Sequence, residues 1–121
     1  MPPVLTFYHY AKCQTCVKAR RFLEANRHAL NAIDITTSPP SAEELANLIQ
    51  KSGLGLPDFL NRSGIQYREK NMKELVKKLS RQEILKILSG DGRLIKRPIV
   101  TDGKRVTVGF QEETFKKVWG N

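Results

Sequence analysis

The sequence has little cysteine, two residues in 121. Two thiols exclude a small secreted fold stapled by several disulfides, and they exclude a self-contained four-cysteine zinc module. No apolar run approaches the ~20 residues that a membrane-spanning helix needs. Met1-Pro2-Pro3 opens no secretory signal, so a cytoplasmic location with no membrane partner is expected. Acidic residues are scarce as well, 12 against 21 Lys and Arg, for a formal charge of +9. That excess favours anionic partners: nucleic acid, acidic proteins or small oxyanions. What is present suits a single packed domain. Hydrophobic residues make up 40% and charged residues 27%, and the length holds one real core rather than two.

Hydrophobic patterning gives the order of elements. Val4-Leu5-Thr6-Phe7-Tyr8 reads as a short buried strand, β-branched and aromatic. A helix follows from about Thr15 to Asn26, with Ala19, Phe22 and Leu23 on one face and Lys18 and Arg21 turned outward. Leu30 to Thr36 alternates as a second strand with Ile33 and Ile35 inward, and Pro39-Pro40 ends it. Ser41 with Glu44 predicts a capping box, opening a helix lined by Leu45, Leu48 and Ile49 and closed by Gly53.

The middle of the chain is helical and basic. Leu56 to Leu60 reads as one short helix, and Ser63-Gly64 as a break. Asn71 is predicted to cap a segment carrying Met72, Leu75, Val76 and Leu79. Ser80 with Glu83 makes a second capping box, ahead of Ile84, Leu85, Ile87 and Leu88. Asp91-Gly92 reads as a turn, after which the pattern becomes extended. Ile99-Val100, an Asp102-Gly103 turn and Val106-Thr107-Val108 form a hairpin. Glu112 to Trp119 closes as a helix burying Phe115, Val118 and Trp119, the last as a core plug. There is no internal repeat and no low-complexity linker.

Cys13-Gln14-Thr15-Cys16 sits between the first strand and the first helix. Unpaired N–H groups at a helix start stabilise a thiolate, commonly bringing such a cysteine to a pKa of about 3.5–7.5. The three-residue spacing lets the second sulfur, one turn along, reach the first. Lys12 and Arg97 are candidates to add positive charge nearby. Two core cysteines, or half of a metal site, are the competing readings of a bare C-x-x-C, and the strand-to-helix junction favours redox chemistry over both. For zinc, His9 and His28 are the other candidate ligands and their spacing is wrong, so no metal site is expected. His28, near the end of the first helix, reads as exposed.

Lys96-Arg97-Pro98-Ile99-Val100 is the second constellation. A proline entering a strand cannot donate to the ladder and belongs at its first position. The arginine before it carries a fork of donors suited to an oxyanion or a thiolate. A plain strand-start proline beside a solvated arginine is the competing reading.

A βαβ unit followed by a ββα unit, with helices between them, resembles the α/β thioredoxin-like fold built on a mixed four-stranded sheet. The resemblance narrows further to the arsenate reductase-like (ArsC) family and its relatives the Spx and MgsR regulators. It rests on Phe7-Tyr8-His9 with Cys13 four residues on, Pro39-Pro40-Ser41 before a helix, Ile95-Lys96-Arg97-Pro98-Ile99-Val100, and Val108-Gly109-Phe110. It covers nearly the whole chain. It implies one domain over 1–121, with a thioredoxin-like core of about 1–38 and 91–121 and a helical insertion of about 39–90. It also implies that Cys13 is the catalytic cysteine, that His9 lies near it, that Arg97 binds an oxyanion, and that a cis Pro98 faces the cysteine. Substrate contacts are then expected from His9, Lys12, Asn61 and Pro98.

Two further arginines complete the family's anion site, where this chain has Asn61 and Gly109. Arg62, one residue along, would project elsewhere on a helix, and Arg105 is out of register. Cys16 matches the Spx-like pattern rather than the glutathione-dependent reductases. Arsenate is therefore not the expected physiological substrate. The resemblance implies a thiol–disulfide oxidoreductase needing no cofactor, with thioredoxin, glutaredoxin or glutathione as reductant. Its alternative is an Spx-like redox sensor that binds RNA polymerase; the chain shows no match to that regulator's polymerase-contacting segment or C-terminal extension.

The basic residues Arg62, Arg68, Lys70, Lys73, Lys77, Lys78, Arg81 and Lys86 alternate with Glu69, Glu74 and Glu83, with Tyr67 as the aromatic. They read as a solvated helix face, with no direct nucleic-acid contact expected.

Overall fold

The structure is a computed structural model and describes residues 4–120; Met1-Pro2-Pro3 lies outside the described residues. Strand β1 (Leu5–His9) leads to helix α1 (Gln14–Ala25) and strand β2 (Leu30–Asp34), which pairs with β1 in parallel. Helices α2 (Ala42–Ser52), α3 (Ile65–Glu69), α4 (Met72–Lys78) and α5 (Arg81–Gly90) follow, with 3₁₀ turns at Leu56–Phe59 and Gly92–Leu94. The antiparallel hairpin β3 (Ile99–Thr101) and β4 (Val106–Val108) precedes α6 (Glu112–Trp119). β3 runs antiparallel to β1, so the mixed sheet has the order β2-β1-β3-β4. This is the expected α/β class and sheet.

Alternation along the strands divides the core in two. Leu5, Phe7 and Val100 point to one face of the sheet, where Cys16, Ala19 and Leu23 of α1 and Phe115 and Trp119 of α6 cover them. Tyr8, Ile99 and Val106 point to the other face, under Leu45, Leu48, Phe59, Met72, Ile84 and Leu88. Trp119 is 1% exposed, and its indole N–H donates to Thr107 Oγ1 at 2.9 Å. None of the described helices is long and apolar enough to cross a membrane.

Several local expectations change. Ser80 and Glu83 form both halves of their capping box, whereas Ser41 is seen only to accept from the Glu44 N–H. Asn71 stands at the start of α4, but its side chain caps nothing; the backbone takes the left-handed conformation (φ 52°) to turn α3 into α4. Helix α3 was not foreseen, because its residues bury none of their side chains and so carry no apolar stripe. Residues 61–64 are not helical: Leu60 bridges to Ile95, and a turn follows. Asp91 caps the second 3₁₀ turn through the Arg93 N–H. Gly92 is required there, since a Cβ would collide with the Ile35 carbonyl oxygen. His28 is half-buried rather than exposed, with its Nε2 2.6 Å from the Trp119 carbonyl oxygen. The eight basic residues of the helical region are exposed, as expected.

Candidate active site

The start of α1, the turn that follows the Leu60–Ile95 bridge, the peptide entering β3 and the segment leaving β4 meet around one cavity of about 270 Å³. Cys13 opens onto it. A turn closed by the Cys13 N–H to the Tyr10 carbonyl (3.0 Å) delivers Cys13 to the N-cap of α1 in extended geometry. Its Sγ accepts from the Cys16 N–H at 3.3 Å, so the thiol itself caps the helix. Cys16, one turn on, is buried under α1, and the two cysteines approach to 3.1 Å with no bond between them.

The two thiols differ electrostatically. Burial opposes ionisation of Cys13, but hydrogen bonds from the Cys16 side chain and N–H, with the Arg97 guanidinium, outweigh it and hold the thiol below its ordinary value. Burial pushes the Cys16 thiol up to about 12, and negative charge on Cys13 adds to that. Ionisation is favoured at Cys13 and opposed at Cys16.

Arg97 reaches the cavity from the opposite side. Its peptide bond to Pro98 is cis, as expected, and the Pro98 carbonyl accepts from the Gly109 N–H at 2.8 Å. The guanidinium lies over the Tyr10 ring, 5.0 Å from its centroid, and its Nε is buried without a hydrogen-bond partner.

Asn61 also lines the cavity, but its amide N–H donates to the Arg93 carbonyl at 3.1 Å. Much of its donor capacity is therefore spent on the backbone. The remaining lining comes from Thr15, Ser63, Lys96 and residues 108–111.

Not every expected site residue is there. Lys12 is exposed in the loop before Cys13, outside the cavity. His9 points to the α1 side of the sheet, stacked on Phe7 with ring centroids 5.4 Å apart. Burial and Arg20 keep its imidazole below the ordinary value against the pull of Asp34. Pro98 is buried behind Arg97 rather than lining the cavity. Arg62 borders a neighbouring cleft, and Arg105 is at the far end of the hairpin, bonded to Asp102 and the Val118 carbonyl. Among the described residues no cluster of three or more His, Cys, Asp or Glu could hold a metal.

Lys96 is the charged lining residue that sequence reasoning passed over. It lines the cavity beside Arg97, and a side chain at Gly109 would meet its Cε at 3.1 Å. The signal was the bare glycine opposite, which leaves room that the lysine side chain fills.

Comparison with known proteins shows what the chain is similar to. The family model described as "ArsC family" matches residues 8–118. The uncharacterized protein YusI of Bacillus subtilis is 52% identical over 95% of this chain and 98% of its own length. The global transcriptional regulator Spx of Streptococcus agalactiae is 30% identical over 93% of this chain and 81% of its own. The crystal structure of an ArsC family related protein from Bacteroides fragilis superposes with a TM-score of 0.90 at 32% identity, covering 97% and 98% of the two chains.

Proposed function

The chain belongs to the ArsC family, and from that premise we propose that it is a thiol–disulfide oxidoreductase in which Cys13 attacks and Cys16 resolves. The observation that carries this reading is the pair itself: two free cysteines 3.1 Å apart, one thiol lowered in pKa and the other raised. In the first step the Cys13 thiolate attacks a sulfur of a substrate disulfide. The substrate S–S bond breaks, one thiolate leaves and takes a proton, and a Cys13–substrate disulfide remains. Capturing Cys13 removes the negative charge beside Cys16, so the second thiol becomes easier to deprotonate at the moment it is needed. Cys16 then gives up its proton and attacks Cys13 Sγ, releasing the second substrate thiol and leaving a Cys13–Cys16 bridge. Thioredoxin, glutaredoxin or glutathione supplies the two electrons that reopen it.

Arg97 steadies charge on the attacking and leaving sulfurs, Asn61 bounds the cavity, and the peptide at Pro98 docks the partner. His9, stacked on Phe7, and Lys12, in the loop before Cys13, stand outside the cavity and take no direct part in this scheme. The strands come from the two ends of the chain and the helices α2–α5 from between them. That supports a thioredoxin-like core of about 1–38 and 91–121 with an insertion of about 39–90.

The Spx likeness supports a second reading, a redox-sensing regulator that binds RNA polymerase. One experiment separates them. A Cys16→Ser chain cannot resolve its mixed disulfides and should retain partners on Cys13 that dithiothreitol releases. Recovery of polymerase insensitive to the reductant, with nothing trapped on Cys13, would favour the regulator instead.

A further inference from the structure

Arg97 has a second face. Away from Cys13 its guanidinium borders a separate cavity of about 190 Å³, lined with it by Tyr10, Thr36, Gln66 and Arg93. None of these side chains is aliphatic and none is acidic. The unpartnered Nε of Arg97 leaves this guanidinium short of hydrogen bonds, and a buried donor without a partner is a common mark of an absent anion or water.

The second cation is fixed in place. Arg93 forks onto Asp91 through Nε at 2.9 Å and a terminal nitrogen at 3.1 Å. Lys70 reaches the same carboxylate at 3.0 Å and Glu69 also acts on Arg93, so the cavity's cation left without a carboxylate partner among the described residues is Arg97. On the opposite wall, Thr36 donates its hydroxyl to Asp34 at 2.6 Å. Asp34 therefore stands just behind the cavity, and its negative charge favours a monoanion over a dianion there. A planar group with two oxygens matches the fork of a guanidinium.

We infer that this cavity binds a carboxylate carried by the sulfur compound that reacts at Cys13, with Arg97 joining the two sites. This deepens the oxidoreductase reading and rests on it. The compound presents its sulfur to Cys13 on one side of Arg97 and its carboxylate to Tyr10, Gln66 and Arg93 on the other. The carboxylate belongs either to a small thiol acid or to a cysteine-bearing peptide. In both cases the Cys13 thiolate forms one S–S bond, breaks another, and releases a thiolate that takes a proton from water.

The test compares two small disulfides reacting with the reduced chain, 3,3′-dithiodipropionate and the neutral bis(2-hydroxyethyl) disulfide, followed by acid quench and mass mapping of Cys13. The dicarboxylate should react faster by about tenfold, the scale of one charge-assisted contact. Gln66→Glu should reduce that preference to about twofold or less, and Gln66→Lys should raise it, by adding charge at the cavity wall. Lys117→Gln, which removes one charge from α6 on the other face of the sheet, should leave it unchanged. Lys117→Gln should also keep the native rate with the neutral disulfide, and each Gln66 variant is judged by the ratio of its two rates.

A cysteine-terminated peptide disulfide, compared as free acid and as amide, separates the sources. A preference for the acid identifies a peptide ligand, and its absence alongside the dipropionate preference identifies a small thiol acid. Equal rates with both small disulfides would overturn the carboxylate site while leaving the oxidoreductase reading intact. So would a preference that survives Gln66→Glu and follows net charge alone. Failure of Cys13 to react with either disulfide would overturn both.

Discussion

Cys13 and Cys16 stand one helical turn apart and meet opposite environments. Cys13 faces the cavity with three groups favouring its thiolate, while Cys16 is 2% exposed within the core. Alkylation of the reduced chain should therefore modify Cys13 first, with the pH profile of its rate inflecting below the ordinary thiol value. Arg97→Gln removes one of the favouring groups and should move that inflection to higher pH. Faster labelling of Cys16, or an inflection indifferent to Arg97, would reverse the assigned roles. Single residues were legible in proportion to how local their surroundings are. The position of Cys13 follows from a strand, a turn and a helix start within ten residues. The fate of the Asn61 amide does not, because its partner, the Arg93 carbonyl, arrives from 32 residues away through the Leu60–Ile95 bridge.

Between elements, the joint formed by Asp91 and Gly92 ties the helical region to the sheet. Asp91 is buried, receives Arg93 and Lys70, and has its carboxyl lowered to about 2, the Arg93 hydrogen bonds being the largest cause. A depressed carboxylate stabilises the fold above its unfolded value and loses that contribution as pH falls through the folded one. The loss should thus run from near pH 4 down to about 2. Because Arg93 and Lys70 are about half exposed, the contribution is about 1–2 kcal/mol. Asp91→Asn should cost that much in urea unfolding at neutral pH and remove this part of the acid dependence. Gly92→Ala should cost more, about 3 kcal/mol or more, because a backbone carbonyl rather than a flexible side chain blocks the added carbon. The sequence marked this stretch as a turn from its Asp-Gly pair. It could not mark the close approach to Ile35, which depends on how the turn packs against the end of β2. Helix α3, with no buried face, was hidden for want of an apolar stripe, whereas α2, α5 and α6 were plain from theirs.

Over the whole molecule, charge and site chemistry point in different directions on arsenate. A net +9 draws oxyanions towards the surface, but that field is screened beyond ~10 Å and does not replace direct donors. In the cavity, Asn61 has an amide N–H bonded to the Arg93 carbonyl, and Gly109 has no side chain. Relative to a site with arginines at both positions, the lost contacts amount to roughly 3–6 kcal/mol at ~1.5–3 kcal/mol each. Lys96 returns part of that. Arsenate-dependent NADPH oxidation with thioredoxin or glutaredoxin supplied should be weak or absent, and Asn61→Arg should increase it. Gly109→Arg is the poorer rescue, because the backbone there has φ +76° and Lys96 already fills the space. Robust native turnover, lost in Cys13→Ser, would overturn this account of the anion site.

Because the chain has a single tryptophan and packs it with Cys16 on the α1–α6 face of the sheet, its fluorescence sees only half of the interior. Far-ultraviolet dichroism sums the helices of both faces, including α2–α5, which have no tryptophan among them. The two optical signals thus measure whether the layers melt as one cooperative unit. Superimposable denaturation curves are expected if the sheet couples the faces through its shared strands. A loss of dichroism while emission stays native would show the α2–α5 layer opening by itself around an intact thiol pair.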